Sequence, residues 1–173
     1  PVWPVLGDFT RPFALPPEVA RRRKVGFFPG STIGNFTPAE AARWLYSLRR
    51  LLGASGRLIV GVDLEKDARR LIAAYDDTKG VTAAFNLNLL RRLNRELAAD
   101  FDLAGFEHRV VYDPREGRIE MHLLSRSEQT VNVRGRPFAF RAGETIHTEN
   151  SYKYAPDRFR HLAAAAGWRT RRE

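Results

Sequence analysis

Residues 24–64 read KVGFFPGSTIGNFTPAEAARWLYSLRRLLGASGRLIVGVDL, and they decide the fold class of this chain. Two apolar runs, Lys24–Phe28 and Arg57–Leu64, stand on either side of a well-marked amphipathic helix. Thr37 has the N-cap and capping-box pattern at the start of that helix, and Gly53 is suited to end it. Strand, helix and strand in this order form a βαβ unit, which predicts a doubly wound parallel sheet.

Upstream of this unit, Val2–Leu6 is a short apolar run that is followed by Gly7-Asp8-Phe9. We expect it to be another parallel strand with an acidic residue at its carboxyl end. Arg57–Leu64 is apolar at nearly every position, as is typical of a central strand that is covered on both faces. All three strands are therefore expected in one sheet, with Asp8 and the turn Gly30–Asn35 at its carboxyl edge.

The pattern changes after Leu64. Glu65 is expected to begin the first of two amphipathic helices, and a series of short alternating segments follows them. The turn Asp113–Gly117 indicates a hairpin, so this region is predicted to be antiparallel and half exposed. Pro156–Ala166 is a last amphipathic helix, and Trp168 begins what we expect to be another strand. The chain is thus predicted to be α/β, with a partial Rossmann-type core and an inserted α+β domain. The predicted ranges are 1–64 and 154–173 for the core and 65–153 for the insertion.

Composition limits the classes of function. The chain has 173 residues, and none is cysteine, so neither disulfides nor thiolate zinc sites are available. No run approaches the roughly 18 uninterrupted apolar residues that a membrane span needs. The net charge is +9, yet the arginines are scattered over predicted helix surfaces and both chain ends, which favours solvated faces over a phosphate-binding stripe. We expect a cytoplasmic protein that binds neither nucleic acid nor membranes.

Two groups of residues near the predicted strand ends could carry chemistry. The Asp8 carboxylate could accept a hydrogen bond from an adenine amino group while the Phe9 ring stacks on the base; a polar strand end before a core phenylalanine is the alternative. In FFPGSTIGN, Gly30 and Gly34 bracket a tight turn that can bring backbone N–H groups and the Asn35 amide close to a ligand. An ordinary strand-to-helix connection is the alternative there. The turn lacks the spacing of the phosphate-binding glycine motifs.

The third group is HTENSYKY. With the two-residue period of a strand, His147, Glu149 and Ser151 point to one side. A glutamate and a serine two residues apart could bind the two nitrogens of an imidazole. Two alternatives stay open: a metal set of His147, Glu149 and His122, and a solvated edge strand. We expect His122 not to converge with the other two, so that no metal is bound.

Several longer runs carry a specific resemblance: FFPGSTIGNF, IVGVDLEKD, AAYDDTKGVTAAFNLNLLRRLNRELAADFD, RIEMHL and GETIHTENSYKY. Together they cover nearly the whole chain and resemble the histidine Nα-methyltransferases of ergothioneine biosynthesis. The resemblance implies a Rossmann-type methyltransferase core with an inserted substrate-binding domain. It also implies that S-adenosylmethionine is the co-substrate, that L-histidine is trimethylated to hercynine, and that no metal takes part.

The resemblance also implies roles for individual residues. Asp8 and Phe9 would contact the adenine part of S-adenosylmethionine. Asn35 and Tyr75 would hold the α-amino and carboxylate end of histidine, and Tyr75 or an ordered water is a candidate general base. The remaining substrate-binding residues would be Gly30 in the turn, Met121 shaping the pocket, and Glu149, Asn150 and Ser151 at the imidazole.

The family's glycine-rich cofactor loop, its ribose-binding carboxylate and its final strands have no counterpart in this sequence. We therefore expect the carboxy-terminal two-thirds of a monomeric enzyme, poorly stable and inactive by itself. Two rival functions remain at this stage. One is a methyltransferase of the same family that acts on another amino acid, against which Glu149 and Met121 argue; the other is a binding domain without catalysis.

Overall fold

The computed structural model describes residues 2–173, which form a mixed α/β structure of two compact units. Unit 1 contains the described residues up to Glu65 together with Tyr152–Glu173, and unit 2 contains Lys66–Ser151. The helices are α1 (Pro17–Ala20), α2 (Pro38–Leu52), α3 (Ala68–Tyr75), α4 (Val81–Leu97) and α5 (Pro156–Ala165). The strands are β1 (Val25–Phe28), β2 (Arg57–Val60), β3 (Phe106–Asp113), β4 (Arg118–Ser125), β5 (Gln129–Val133), β6 (Arg136–Phe140) and β7 (Thr145–Tyr152). No helix among these residues is both long enough and apolar enough to cross a membrane.

Unit 1 contains the predicted βαβ unit. Strands β1 and β2 pair in parallel, with Val25 opposite Arg57 at one end of the register. Helix α2 connects them, and its start is the expected capping box: the Thr37 hydroxyl accepts from the Glu40 amide, and the Thr37 amide donates to the Glu40 carboxylate at 2.9 Å. Gly53 ends the helix with a φ of +79°, a conformation that costs glycine least. The strand–helix–strand prediction is confirmed.

The core of unit 1 lies where α2 packs against α5. Leu45 of α2 is almost completely buried beside Ala166, which directly follows α5. The strand that was expected to begin at Trp168 is absent from the described chain, and residues 168–173 have no regular structure. Gly167 turns the chain with a φ of +82°, and the Trp168 indole N–H donates to the Leu45 carbonyl at 2.9 Å. Trp168 therefore anchors the end of the chain on α2.

The expected strand over Val2–Leu6 is also wrong, because this segment has no regular structure and is exposed. A strand needs a neighbour for its N–H and C=O groups, and the parallel sheet of the described residues contains only β1 and β2. The expectation that Arg57–Leu64 is covered on both faces fails as well. Strand β2 ends at Val60, and Ile59 is 58% exposed beside Phe27, which is 71% exposed.

Unit 2 has the antiparallel character that its sequence pattern predicted. Strands β3 and β4 form a hairpin from the pair Asp113–Arg118 to the pair Phe106–Ser125, with β7 on the other side of β4. Strands β5 and β6 form a second antiparallel pair. Helix α3 begins at Ala68 rather than at Glu65, because the Asp67 carboxylate accepts from the first free amides of the helix. The core of unit 2 contains Leu90, Phe101, Phe106, Leu123 and Val131.

Candidate functional site

Asp8 lies in an exposed turn of unit 1. Its carboxylate accepts hydrogen bonds from the Thr10 hydroxyl at 2.6 Å and the Thr10 amide at 2.9 Å, and it faces Arg11 at 3.3 Å. The bonds from Thr10, with a smaller effect of Arg11, hold the pKa of Asp8 below its ordinary value. The expected position at the end of a strand is wrong. The turn nevertheless presents an ionised carboxylate next to Phe9.

Phe9 lines a groove of about 660 Å³ in unit 1, between residues 9–15, β1 and α2. Its ring centroid lies 5.7 Å from that of Phe28, which in turn lies 4.2 Å from Trp44. The Trp44 indole N–H donates to the Phe9 carbonyl at 3.2 Å and so holds this part of the chain against α2. Phe9 itself remains about half exposed. An accessible aromatic ring in an apolar groove is suited to stacking against a flat base.

The turn Gly30–Asn35 connects β1 to α2 in unit 1. Gly30 and Ser31 have φ values of +74° and +58°, and one turn of 3₁₀ helix then ends at Asn35. A Cβ atom on Gly61 would lie 3.1 Å from the Gly30 nitrogen, so the chains that leave β1 and β2 come into close contact. Asn35 is exposed. The turn therefore has the backbone geometry that was predicted for it and leaves the Asn35 amide accessible.

A buried ion pair lies beside this turn. Lys153 is completely buried, and its Nζ lies 3.1 Å from the Asp63 carboxylate. The Asp63 amide donates to the Ser31 hydroxyl at 2.8 Å, and the Tyr154 amide donates to the Asp63 carbonyl at 3.1 Å. Sequence reasoning missed this pair, although a lysine between two tyrosines at the end of a strand is a signal of a paired, buried charge.

Tyr75 and Ser151 meet in unit 2. Their hydroxyl oxygens lie 2.7 Å apart, which is hydrogen-bonding distance, and Ser151 is buried. Tyr75 is the last residue of α3, whereas Ser151 lies near the end of β7. The structure thus brings together two of the residues that were expected to bind histidine, although 76 positions separate them in the sequence.

The backbone of Tyr75 is held by a second set of polar residues. His108 of β3 donates from Nε2 to the Tyr75 carbonyl at 2.8 Å. Asn86 of α4 donates to His108 Nδ1 at 3.0 Å and to the His122 carbonyl at 3.0 Å. The acceptor role of Nδ1 and the donor role of Nε2 require the same neutral tautomer of His108. Asn86 is 4% exposed, so both of its bonds are shielded from water.

Glu149 and Asn150 precede Ser151 on β7, and both side chains are half-buried. The Asn150 side-chain oxygen is buried and has no hydrogen-bond partner among the described residues. Met121 is buried on β4, where its carbonyl accepts from the Thr148 hydroxyl at 2.9 Å. An unsatisfied amide oxygen is costly in a purely structural strand, whereas a ligand or water that donates to it removes the cost.

Glu120 and His122 of β4 form a polar cluster with His147 of β7. The two imidazole rings are stacked, with centroids 4.5 Å apart, and His122 Nε2 lies 2.9 Å from the Glu120 carboxylate. The expectation that His122 would not converge with His147 is therefore wrong. The carboxylate that joins the two histidines is Glu120, and Glu149 does not belong to the cluster that the described residues form.

The electrostatics of this cluster favour a charged carboxylate. Burial alone would raise the pKa of Glu120, but hydrogen bonds from His122 and Arg118 outweigh burial and hold that pKa below its ordinary value. Arg118 contacts one carboxylate oxygen at 2.6 Å, and His122 contacts the other. Sequence reasoning missed Glu120 because it took the carboxylate from the strand of His147, as Glu149, whereas the structure supplies it from the strand of His122.

The expected site residues divide between the two units. Unit 1 holds Asp8, Phe9, Gly30 and Asn35, and unit 2 holds Tyr75, Met121, Glu149, Asn150 and Ser151. Within unit 2 Tyr75 and Ser151 are in direct contact. Within unit 1 the Phe9 ring lies 5.7 Å from Phe28 and 6.3 Å from Phe36, the two residues that flank the turn, although the groove beside Phe9 is not lined by Gly30 or Asn35.

Comparison with known proteins gives a consistent result. The model of a family described as "Histidine-specific methyltransferase, SAM-dependent" matches residues 1–173. The chain is 47% identical to the histidine N-alpha-methyltransferase of Mycolicibacterium smegmatis over 167 residues. This alignment covers 95% of this chain and 51% of that protein. It is 44% identical to the protein of the same name from Mycobacterium tuberculosis over 165 residues. This alignment covers 94% of this chain and 51% of that protein.

A more distant relative is the ergothioneine biosynthesis protein 1 of Neurospora crassa. Here the identity is 30% over 164 residues, which covers 92% of this chain and 18% of the relative. The chain therefore spans about half the length of the two mycobacterial relatives and a smaller part of the fungal protein.

Proposed function

Because the chain belongs to the family of S-adenosylmethionine-dependent, histidine-specific methyltransferases, we propose that the full-length protein methylates the α-amino group of L-histidine. Three successive transfers give the quaternary amine hercynine, an intermediate of ergothioneine biosynthesis. The observation that carries the assignment is the contact between Tyr75 and Ser151 at 2.7 Å. It brings a residue proposed for the amino-acid end of histidine next to one proposed for its imidazole.

Recognition of the imidazole falls to β7. Glu149 accepts a hydrogen bond from one imidazole nitrogen, and the Ser151 hydroxyl bonds the other. Asn150 lies between these two residues, and the buried Met121 gives the pocket an apolar wall. A neutral imidazole has one donor and one acceptor nitrogen, so a carboxylate paired with a hydroxyl distinguishes it from an apolar side chain of similar size.

The amino-acid end of histidine falls to Asn35, in the turn after Gly30, and to Tyr75. The Asn35 amide has both a donor and an acceptor and is accessible. Tyr75 is fixed at its carbonyl by His108 and at its hydroxyl by Ser151. A residue that is held at both its backbone and its side chain loses little further conformational freedom on binding. This favours accurate placement of the substrate.

S-adenosylmethionine supplies an activated methyl group on a sulfonium, so the protein's own task is to align a neutral amine with it. Asp8 and Phe9 hold the adenine part, for which an exposed carboxylate next to an exposed ring has suitable chemistry. Before each transfer the amine gives up a proton, and Tyr75 or an ordered water accepts it. No metal is needed for this step, and a chelator is expected to leave the rate of methyl transfer unchanged.

The parallel pair β1–β2 and its connecting helix support assignment of unit 1 to a Rossmann-type methyltransferase core. The antiparallel sheets of unit 2 support its assignment to an inserted substrate-binding domain. We place the core at residues 1–64 and 154–173 and the insertion at 65–153. We also propose that the full-length enzyme is a cytoplasmic monomer, which light scattering and cell fractionation would test.

The test uses the full-length protein with S-adenosylmethionine and each of several amino acids, and it follows methyl addition by mass spectrometry. We expect three additions to L-histidine and none to amino acids without an imidazole. Methylation of another amino acid at the same rate would instead support a different substrate within the family. An absence of any transfer would favour a binding protein.

The substitution Glu149→Ala tests the imidazole pocket. A hydrogen bond to a charged group contributes about 1.5–3 kcal/mol, so histidine affinity is expected to fall roughly ten- to a hundredfold. The affinity for S-adenosylhomocysteine should remain unchanged. Glu128→Ala is the matched control, because Glu128 is an exposed carboxylate in the same unit. An unchanged KM for histidine in the Glu149 variant would refute the role assigned to this residue.

A further inference from the structure

The cluster of Glu120, His122 and His147 contains three potential metal ligands that the proposed methyl transfer does not use. Each of the three residues offers one ligand atom, and these atoms all lie within 4.8 Å of one another. Glu120 and His122 are two residues apart on β4, and His147 lies on the neighbouring strand β7. Two imidazoles and one carboxylate are a common set of protein ligands for divalent transition metals.

The hydrogen bonds of His147 leave one of its nitrogens available. His147 Nε2 lies 3.1 Å from the Glu149 carbonyl, and because a carbonyl only accepts, Nε2 carries the proton. In the neutral ring Nδ1 then has a free lone pair. Histidines that bind metals commonly donate their other N–H to a backbone carbonyl or a carboxylate in this way, which fixes both the tautomer and the ring orientation.

His122 has a polar atom that the protein leaves unsatisfied. Its Nε2 shares a proton with Glu120, while its Nδ1 is buried and has no hydrogen-bond partner among the residues that the structure describes. Burying an imidazole nitrogen without a partner costs free energy. A metal ion between Glu120 and His122 takes the place of the shared proton, and the ring's proton is then on Nδ1, which has no acceptor among the described residues either. The unsatisfied nitrogen is therefore no argument for a metal, whereas the convergence of the three ligand atoms is.

The surrounding contacts hold these three residues in place before any ion binds. Arg118 binds one oxygen of Glu120 and leaves the other directed at His122. Asn86 donates to the His122 carbonyl, and Thr148 donates to the Met121 carbonyl, so that β7 is tied to β4. Metal sites depend on such supporting bonds, which orient the ligands and reduce the entropy lost on binding.

From this geometry we propose that Glu120, His122 and His147 form a binding site for one divalent transition metal ion of the zinc type. Three protein ligands leave at least one coordination position to water. The site is separate from the proposed transfer of methyl groups, which needs no metal, so the two proposals fail independently. The alternative is that Glu120 and His122 pair only with each other and bind no metal, and the experiment has to exclude it.

The experiment uses full-length protein without a histidine tag, stripped with a chelator. Zn²⁺ is titrated by calorimetry and Co²⁺ by visible absorption, at about pH 7.5, where histidine is mostly neutral. We expect one saturable ion per chain. His147→Ala and Glu120→Gln should each weaken binding at least about tenfold, since loss of even a supporting residue costs that much at metal sites. His161→Ala is the control, because His161 is exposed on α5 and should not affect binding.

Three results would overturn the proposal: no saturable binding by the wild-type protein, equal affinity in the wild type and both ligand variants, or equal weakening by His161→Ala. His147 is exposed and Glu120→Gln conserves shape, so both variants are expected to fold. A urea-unfolding curve of each variant verifies this. The readout is metal affinity alone and does not depend on catalytic activity.

Discussion

The hydroxyl groups of Tyr75 and Ser151 are 2.7 Å apart and join the end of α3 to β7. His108 donates to the Tyr75 carbonyl, so this residue is held at its backbone as well as at its side chain. The contact connects two elements that are distant in sequence. It should therefore contribute both to the stability of unit 2 and to the placement of the residues proposed to bind histidine.

We first predict an energetic coupling between Tyr75 and Ser151. In a double-mutant cycle with Tyr75→Phe and Ser151→Ala, the coupling in the free energy of unfolding should be about 1 kcal/mol, the net value of a typical intramolecular hydrogen bond. Urea denaturation of the full-length protein measures it. The control cycle uses Tyr46→Phe with Ser151→Ala, since Tyr46 is exposed on α2. A coupling as small as that of the control would contradict the role of the contact.

We next predict that Asn86→Ala is strongly destabilising. The substitution removes two buried hydrogen bonds and leaves the His122 carbonyl and His108 Nδ1 without their donor. The expected loss is about 2–3 kcal/mol in the free energy of unfolding. Asn88→Ala, at an exposed position of the same helix, should change stability by less than about 0.5 kcal/mol. Similar losses in the two variants would show that helix propensity, and not the buried network, sets the cost.

A third prediction concerns pH and Asp77. This carboxylate accepts from the Val81 and Thr82 amides at the start of α4, and these bonds, that from Thr82 first, lower the pKa of Asp77 from 3.8 to about 2. A lowered folded-state pKa means that the stabilisation is complete above about pH 5 and is lost as the pH falls towards 2. The urea midpoints of the wild type and Asp77→Asn should therefore converge over this window.

The same comparison between pH 6 and pH 8 provides the control for Asp77. The carboxylate is ionised throughout that range in both the folded and the unfolded state, so the difference between the two midpoints should stay constant. A difference that persists unchanged down to pH 2 would mean that the charge of Asp77 does not stabilise the start of α4.

The fourth prediction concerns the buried ion pair of unit 1. Asp63→Asn leaves the Lys153 ammonium fully buried next to a neutral amide, and we expect a loss of about 3 kcal/mol in the free energy of unfolding. The control is Glu65→Gln, which removes a partly exposed partner of Arg158 at 3.8 Å and should cost at most about 1 kcal/mol. Equal effects of the two substitutions would refute a special contribution of burial.

Several local features of the fold follow from short stretches of sequence. The capping box at Thr37, the end of α2 at Gly53 and the hairpin turn Asp113–Gly117 all formed as predicted. Each depends on backbone and side-chain groups within about five residues, so the residues that decide it are adjacent in the sequence. The start of α3 was predicted three residues too early because the side-chain cap of Asp67 was overlooked.

Long-range relations were predicted less well. Val2–Leu6 is as apolar as a strand, but a strand forms only beside a partner, and the described chain supplies none there. Trp168 was read as the start of a strand, whereas its indole binds the Leu45 carbonyl 123 positions away. In both cases the residue pattern was compatible with a strand, but no partner strand lies beside the segment among the described residues.

The sequence by itself determined the strand–helix–strand order of residues 24–60, the parallel and antiparallel regions, and the family to which the chain belongs. Tertiary structure alone decided that Tyr75 meets Ser151, that Lys153 is buried against Asp63, and that Glu120 joins the two stacked histidines. The physical reason is that caps and turns arise from neighbouring residues, whereas these contacts depend on which strands lie side by side. Strand order is set by packing of the whole unit, and a pattern read along one strand does not contain it.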